Sequence, residues 1–239
     1  MEKCGIIVKI SIKGGVKFTL GKIIVIEGTD SSGKATQAEL LYESLKKDNN
    51  VKKLAFPDYE SDSSALIKMY LNGDFGKTAD SVSSEIASIF YASDRYASFK
   101  TKWQEFYNKE NSIIVLDRYV TSNMVHQAAK IDDLSKKEKY LEWVYNLEYE
   151  IFGLPKPDMV IFLNMPPEKA ALLMADRPNK ITNDAKKDIH ESDLVYLKKC
   201  YENALFVSKK YNWHEISCVN GRAIKPIEEI HGEIRKMII

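Results

Sequence analysis

With a net charge of +1, 44% hydrophobic and 29% charged residues, the chain has the composition of an ordinary soluble globule, and its 239 residues are a length at which an α/β fold is routinely one domain. The charge balance offers no global attraction to nucleic acid or anionic lipid, and no run approaches the ~18 apolar residues of a membrane span. Three scattered cysteines, Cys4, Cys200 and Cys218, form no C-x-x-C pair and have no histidines at metal spacing, so they read as free thiols of a reducing cytosol.

Residues 1–20 are compatible with a strand or hairpin turning at Gly14-Gly15, and Lys9 and Lys13 interrupt the apolar stretch that a secretion signal needs. They form an N-terminal extension without an assigned role, ahead of a domain over residues 21–239. That domain opens on the apolar run 23–26. Next come Gly28-Thr29-Asp30-Ser31-Ser32-Gly33-Lys34-Ala35-Thr36 and a segment, 37–47, with apolar residues at Ala38, Leu41 and Leu45. Strand, glycine loop and helix in that order are the setting of a G-x-x-x-x-G-K phosphate loop. The glycines let backbone N–H groups converge on a phosphate, the helix aims its positive end at it, and Lys34 adds a full charge. The residue after the lysine, usually a hydroxyl ligand of magnesium, is Ala35, with Thr36 one place further on.

Residues 53–56 form a second apolar run leading into Phe56-Pro57-Asp58-Tyr59. Residues 83–107 are predicted as a long helix, on which Tyr91 and Arg95 project together. That pair is equally compatible with a nucleobase clamp and with a core tyrosine beside an arginine snorkelling outward. A third run, 113–116, ends in Asp117-Arg118. An acidic residue there commonly helps hold Mg²⁺, and a guanidinium can grip a phosphate bidentately; a surface Asp–Arg pair is the alternative. In 121–127, Ser122 with His126 and Asn123 with Gln127 stand four apart, so a helix would carry hydroxyl, imidazole and amides on one face. Such a face meets water or reads a base edge.

Residues 136–152 are predicted as another long helix, and 159–163 and 213–218 as the last strands. The polar stretch 176–190, with Arg177, Lys180, Lys186 and Lys187, is a solvated loop or a lid over the nucleotide. Five continuous apolar runs alternating with helices predict strands buried on both faces of a parallel sheet. The fold class is therefore α/β: three α/β/α layers around five parallel strands, with ligands at the C-terminal strand ends.

From about residue 21 to the C-terminus, the segments E-G-T-D-S-S-G-K-A-T-Q, F-P-D-Y, Y-A-S-D-R, D-R-Y-V-T-S-N and G-L-P-K-P-D-M-V-I-F-L-N-M-P-P resemble the thymidylate kinase family of P-loop nucleoside monophosphate kinases. The resemblance implies transfer of the γ-phosphoryl of ATP to dTMP, giving dTDP, with Mg²⁺ required, by a cytoplasmic homodimer. It implies that Gly28, Thr29, Asp30, Ser31, Ser32, Gly33, Lys34, Ala35 and Thr36 hold the ATP phosphates. Asp30 lies near the acceptor sugar and metal. Arg118, aided by Tyr59, clamps the dTMP phosphate, Tyr91 stacks on thymine and Arg95 reaches a thymine carbonyl. Asn123 and Gln127 face the base, Phe56 walls the pocket, and Ser122 and His126 complete the acceptor set. Glu191 matches a carboxylate near the metal, joining Asp30 and Asp117.

Some positions depart from the family pattern. Ala35 cannot ligate Mg²⁺, and Ser31 and Ser32 leave the catalytic cation to Arg177 or the lid lysines. Asp58 stands where an arginine can assist the phosphate, so two anions would face each other. His126 replaces a frequent tyrosine near the sugar edge. A same-fold kinase for another pyrimidine monophosphate such as dUMP, or a nucleotide-binding homologue without catalysis, are the competing readings.

Overall fold

The computed structural model of the protein describes residues 21–175 and 193–238. The expectations for the extension 1–20 and the lid 176–190, with Cys4, Arg177 and Glu191, lie outside the described residues.

Five strands, β1 Lys22–Gly28, β2 Asn50–Ala55, β3 Ser112–Asp117, β4 Met159–Asn164 and β5 His214–Ser217, form one parallel sheet in the order β2-β3-β1-β4-β5. Successive side chains of β1 alternate between the two faces, as a strand's period of two requires. Ile24 and Ile26 pack with Val115, Ile161 and Leu163 under helix α1, Lys34–Leu45, and the C-terminal helix Ile227–Ile238. Ile23 and Val25 pack with Ile114 and Leu116 under Phe99, Trp103, Leu141 and Val144. Burying each such aliphatic side chain contributes roughly 1.5–3 kcal/mol, which makes the three central strands the rigid floor of the molecule.

The expectation that all five strands are buried on both faces is corrected at the edges. β2 and β5 each have a neighbour on one side only, and they carry Lys52, Lys53, His214 and Glu215 into partly or fully exposed positions. β2 also starts earlier than predicted, because Asn50 pairs with Ser112. After β5 the chain makes a short hairpin, Val219–Asn220 with Ala223–Ile224, through Gly221 at φ 58°. No apolar pattern announces it.

Two further helices frame the site, α2 Ala65–Leu71 and α3 Ser84–Ser98. Ser83 caps α3 by accepting from Ile86 N. Helical structure continues through a widened turn, Phe99–Trp103, to Tyr107, as the sequence predicts. The helix Leu134–Tyr145 is capped by Asp133 and continues as a second widened segment, Asn146–Ile151. The chain moves from β1 to β2 and β3 on one side, then to β4 and β5 on the other. The C-terminal end of β1 is thus a switch point, where an open α/β sheet leaves a crevice.

Candidate active site

β1 delivers the glycine loop into that crevice. Gly28 has no room for a side chain: a Cβ there would lie 2.5 Å from Ser32 Oγ and 3.0 Å from Leu163 O. Gly33 takes φ 88° at the start of α1, a left-handed conformation that a Cβ disfavours, and no side-chain cap bond forms there. The first-turn amides of α1 are therefore available to an anion. Lys34 is buried and donates from Nζ to Thr29 O at 2.6 Å. The hydroxyls of Ser31 and Ser32 are buried without a hydrogen-bond partner among the described residues. Ala35 and Thr36 line the same cavity.

Arg118 follows β3 in a left-handed conformation, φ 67°. Its Nη2 donates to Asp30 Oδ1 at 2.5 Å and its Nη1 to His126 Nε2 at 2.8 Å, with longer contacts to Ser122 Oγ and Gly28 O. A guanidinium can only donate, so His126 Nε2 is the acceptor of this bond. Burial works against the charge of Arg118, but Asp30, Glu27 and Asp117 outweigh it and hold its pKa above the ordinary guanidinium value.

Glu27 is fully buried and accepts from Gly28 N at 2.9 Å, Thr121 Oγ1 at 2.6 Å and Ser122 Oγ at 2.8 Å. It ties the glycine loop to the residues after β3. Sequence reasoning missed this role, since Glu27 reads as the polar end of an apolar strand. Asp117 Oδ1 is buried at the mouth with no partner among the described residues.

Residues 123–127 form a widened turn with all five residues buried. Such a turn breaks the usual i→i−4 bonding, and side chains from elsewhere meet its carbonyls. Asn203 Nδ2 donates to Met124 O and Val125 O at 2.9 and 2.7 Å, Tyr196 to His126 O at 3.0 Å, and Ser84 to Gln127 O at 2.8 Å. Held this way, the turn brings Ser122, Asn123, His126 and Gln127 to one cavity wall. Gln127 Oε1 is buried there with no partner among the described residues.

The facing wall comes from α3. Tyr91 packs half-buried beside Ile67, Tyr70 and Leu71. Arg95 does not snorkel outward: it is 2% exposed, with Nε and Nη2 each 2.6 Å from the Glu148 carboxylate. The preceding residue, Asp94, accepts from Asp58 N at 2.9 Å and Ser63 Oγ at 2.6 Å, fixing the Phe56–Tyr59 loop. Asp58 turns away to Lys102 Nζ, so the expected pair of repelling anions does not arise. Phe56 and Tyr59 line the cavity.

The cavity so enclosed measures about 340 Å³ and runs from Lys34 and Thr36 past Arg118 to Arg95 and Gln127. It falls within the ~300–1,000 Å³ of small-molecule sites. Every expected site residue from 28 to 127 lines or borders it except Thr29 and Ser32, which lie within the loop, and Gly28, which supports it. Glu27, Asp94, Glu148 and Asn203 are the supporting groups the sequence did not single out. Each acts on a residue distant in the chain or on backbone, so no local spacing marks it.

Comparison with known proteins agrees with this architecture. The family model described as Thymidylate kinase matches residues 26–234. The thymidylate kinase of Plasmodium falciparum is 32% identical over 225 residues, covering 91% of this chain and 90% of that protein. That of Mycobacterium tuberculosis is 32% identical over 173 residues, covering 72% and 78%. The solved structure of the thymidylate kinase from Candida albicans superposes with a TM-score of 0.68 at 24% identity, over 91% of each chain. With a phosphate loop, a buried guanidinium and a base-sized chamber in one cavity, and with the match spanning most of its length, the chain belongs to the thymidylate kinase family, which transfers the γ-phosphoryl of ATP to dTMP.

Proposed function

We propose that the single cavity holds both substrates of a dTMP kinase, with ATP phosphates on the glycine loop and dTMP between Arg118 and Arg95. The observation that supports this reading is the continuous cavity lined from Lys34 through Arg118 to Gln127, which offers one enclosure to a donor and an acceptor together.

On this reading residues 28–36 cradle the ATP phosphates, and Lys34 stabilises the charge that spreads over the transferred group. Arg118 and Tyr59 grip the acceptor phosphate, with Ser122 and His126 beside the guanidinium. Tyr91 stacks on thymine and Phe56 closes the pocket. Arg95 donates to a thymine carbonyl and Asn123 accepts from the ring N–H, while Gln127, whose Oε1 lacks a hydrogen-bond partner among the described residues, faces the base beside it. Asp30, already bound to Arg118, links the clamp to the loop and stands near the acceptor sugar.

The acceptor phosphate is ionised at neutral pH and is itself the nucleophile, so the residues have only to align it and stabilise charge. No general base is required. Mg²⁺, bound together with ATP, would supply neutralisation of the phosphate charge. The donor set suits it: Asp117 presents a buried carboxylate oxygen without a hydrogen-bond partner among the described residues, and a phosphate-bound Mg²⁺ needs only one or two carboxylates beside its waters. Asp117 and Asp30 would hold it with Glu191, in place of the hydroxyl that Ala35 lacks. Arg177 is the proposed lid cation.

We also propose a cytoplasmic homodimer. Leu66 and Met69 on α2, and Ile86 and Ile89 on α3, are 40–50% exposed, an apolar face suited to a second copy. Cys200 and Cys218 are buried free thiols.

A panel of dTMP, dUMP, dCMP and dGMP at equal concentration, with ADP release as the readout, tests the acceptor. dTMP is expected to give the highest kcat/KM, and a different preferred acceptor would overturn the assignment.

A further inference from the structure

Arg95 and Glu148 form an ion pair buried on both sides, 2% and 0% exposed. Glu148 has no exposure at all and comes from the widened segment Asn146–Ile151, fifty-three positions away from Arg95 in the chain. Its two oxygens are fully used. Oε2 accepts from Arg95 Nε, and Oε1 accepts both Arg95 Nη2 and Asn123 Nδ2, at 2.6, 2.6 and 2.8 Å. Asn123 Nδ2 also donates to Ser88 O at 3.2 Å, so both its hydrogens are committed. Ser88 is in turn bound to Tyr140, whose hydroxyl reaches Asn123 O. One carboxylate thus fixes two cavity-lining side chains that come from different elements.

This fixing has a chemical consequence. With Nε and Nη2 bound side-on to Glu148, Arg95 cannot rotate about its last bonds, and Nη1 is the nitrogen left to face the cavity. With both amide hydrogens of Asn123 taken, the atom it can offer a ligand is its carbonyl oxygen. The orientation of both groups, donor from Arg95 and acceptor from Asn123, is therefore imposed by Glu148. A 4-keto pyrimidine with a ring N–H matches that order, and a 4-amino pyrimidine, donor at position 4 and bare nitrogen at position 3, opposes it at both points.

We propose that Glu148 is a positioning residue for base selection, locking Arg95 and Asn123 so that the site accepts a 4-keto pyrimidine and rejects a 4-amino one. This rests on the reading of the cavity as the dTMP site. Glu148 touches no substrate: it acts through the two side chains it holds. Removing its charge frees the guanidinium to swing and lets the amide flip, so the donor–acceptor order is no longer enforced.

The test compares Glu148→Gln and Glu148→Asp with the parent, using dTMP, dUMP and dCMP as acceptors and ADP release as the readout. The aspartate keeps the charge but withdraws the carboxylate, and it guards against the glutamine variant failing to fold. Folding is followed by thermal melting and by the KM for ATP, which is expected to stay unchanged. For dTMP the KM is expected to rise about tenfold with kcat nearly retained, and the preference for dTMP over dCMP to fall about tenfold. The ratio of dTMP to dUMP, which differ only by a methyl group, is expected to hold. A folded variant with the parental KM for dTMP and the parental dTMP/dCMP ratio would overturn the proposal. So would an equal fall in kcat/KM for all three acceptors, which is the mark of a purely structural role. Failure of the parent itself to use dTMP would instead overturn the underlying assignment of the cavity, and with it this one.

Discussion

Replacing Arg118 with lysine isolates the value of its fork. The guanidinium reaches Asp30 through Nη2 and His126 through Nη1, at 2.5 and 2.8 Å. A lysine keeps the positive charge but offers one compact ammonium, which cannot span both sites. With dTMP bound, one of two charge-assisted bonds to the acceptor phosphate is then lost, at about 2 kcal/mol. At 1.4 kcal/mol per decade this is a rise of roughly thirtyfold in the KM for dTMP. Lysine at φ 67° is no more strained than arginine, so the melting temperature is expected to shift little. Steady-state assays that vary dTMP at saturating ATP, and then ATP at saturating dTMP, separate the two substrates. The KM for ATP is expected to stay within about twofold, because Arg118 does not belong to the donor loop. An unchanged KM for dTMP, or an equal rise for ATP, would refute the placement of Arg118 on the acceptor side.

Three further variants probe the surrounding scaffold. Asn203→Leu strips the donor from Met124 O and Val125 O, and should destabilise the fold by about 2–4 kcal/mol in urea melts while raising the KM for dTMP; a melt within ~0.5 kcal/mol of the parent would mean that the widened turn holds itself. Tyr91→Ala removes the proposed stacking ring and should raise the KM for dTMP by a factor on the order of ten to a hundred at near-normal kcat; an unaffected KM would remove Tyr91 from the base site. Lys130 donates to Tyr70 and Val82 O, and burial lowers its pKa to about 8, an effect Asp80 and Glu85 only partly offset. The unfolded chain binds that proton up to about 10.5, so between these values it holds more protons than the native state and stability rises with pH. The stability of Lys130→Met relative to the parent should accordingly fall by on the order of 2 kcal/mol between pH 7.5 and pH 10, whereas a pH-independent difference would contradict a buried Lys130 that gives up its proton at lower pH in the native state.

The parts of the fold that rest on short-range pattern were legible in the sequence. The central strands and the glycine loop declare themselves by continuous apolar runs and by glycines where Cβ atoms would clash or a left-handed turn is needed. The two long helices were legible as segments, 83–107 and 136–152, although their caps at Ser83 and Asp133 emerge only in the structure. Spacing alone also brought Ser122, Asn123, His126 and Gln127 together, although the turn that carries them is wider than an α-helix. What stayed hidden depends on contacts across long stretches of chain. Whether Arg95 faced outward or inward turned on Glu148, and whether Asp58 faced the acceptor turned on Lys102 and Asp94. The edge strands misled for a related reason: an apolar run does not tell how many neighbours a strand will have.

Lys34→Met, assayed for both transfer and binding, is the most direct test of phosphoryl transfer at this site. Lys34 sits buried in the loop that α1 extends, and methionine keeps its bulk while removing the charge. Formation of dTDP from ATP and dTMP should fall about a thousandfold, while calorimetric titration should still show dTMP bound with near-parental affinity. Transfer within about tenfold of the parent, with the variant folded and dTMP bound, would contradict a mechanism in which this loop carries the transferred phosphoryl group.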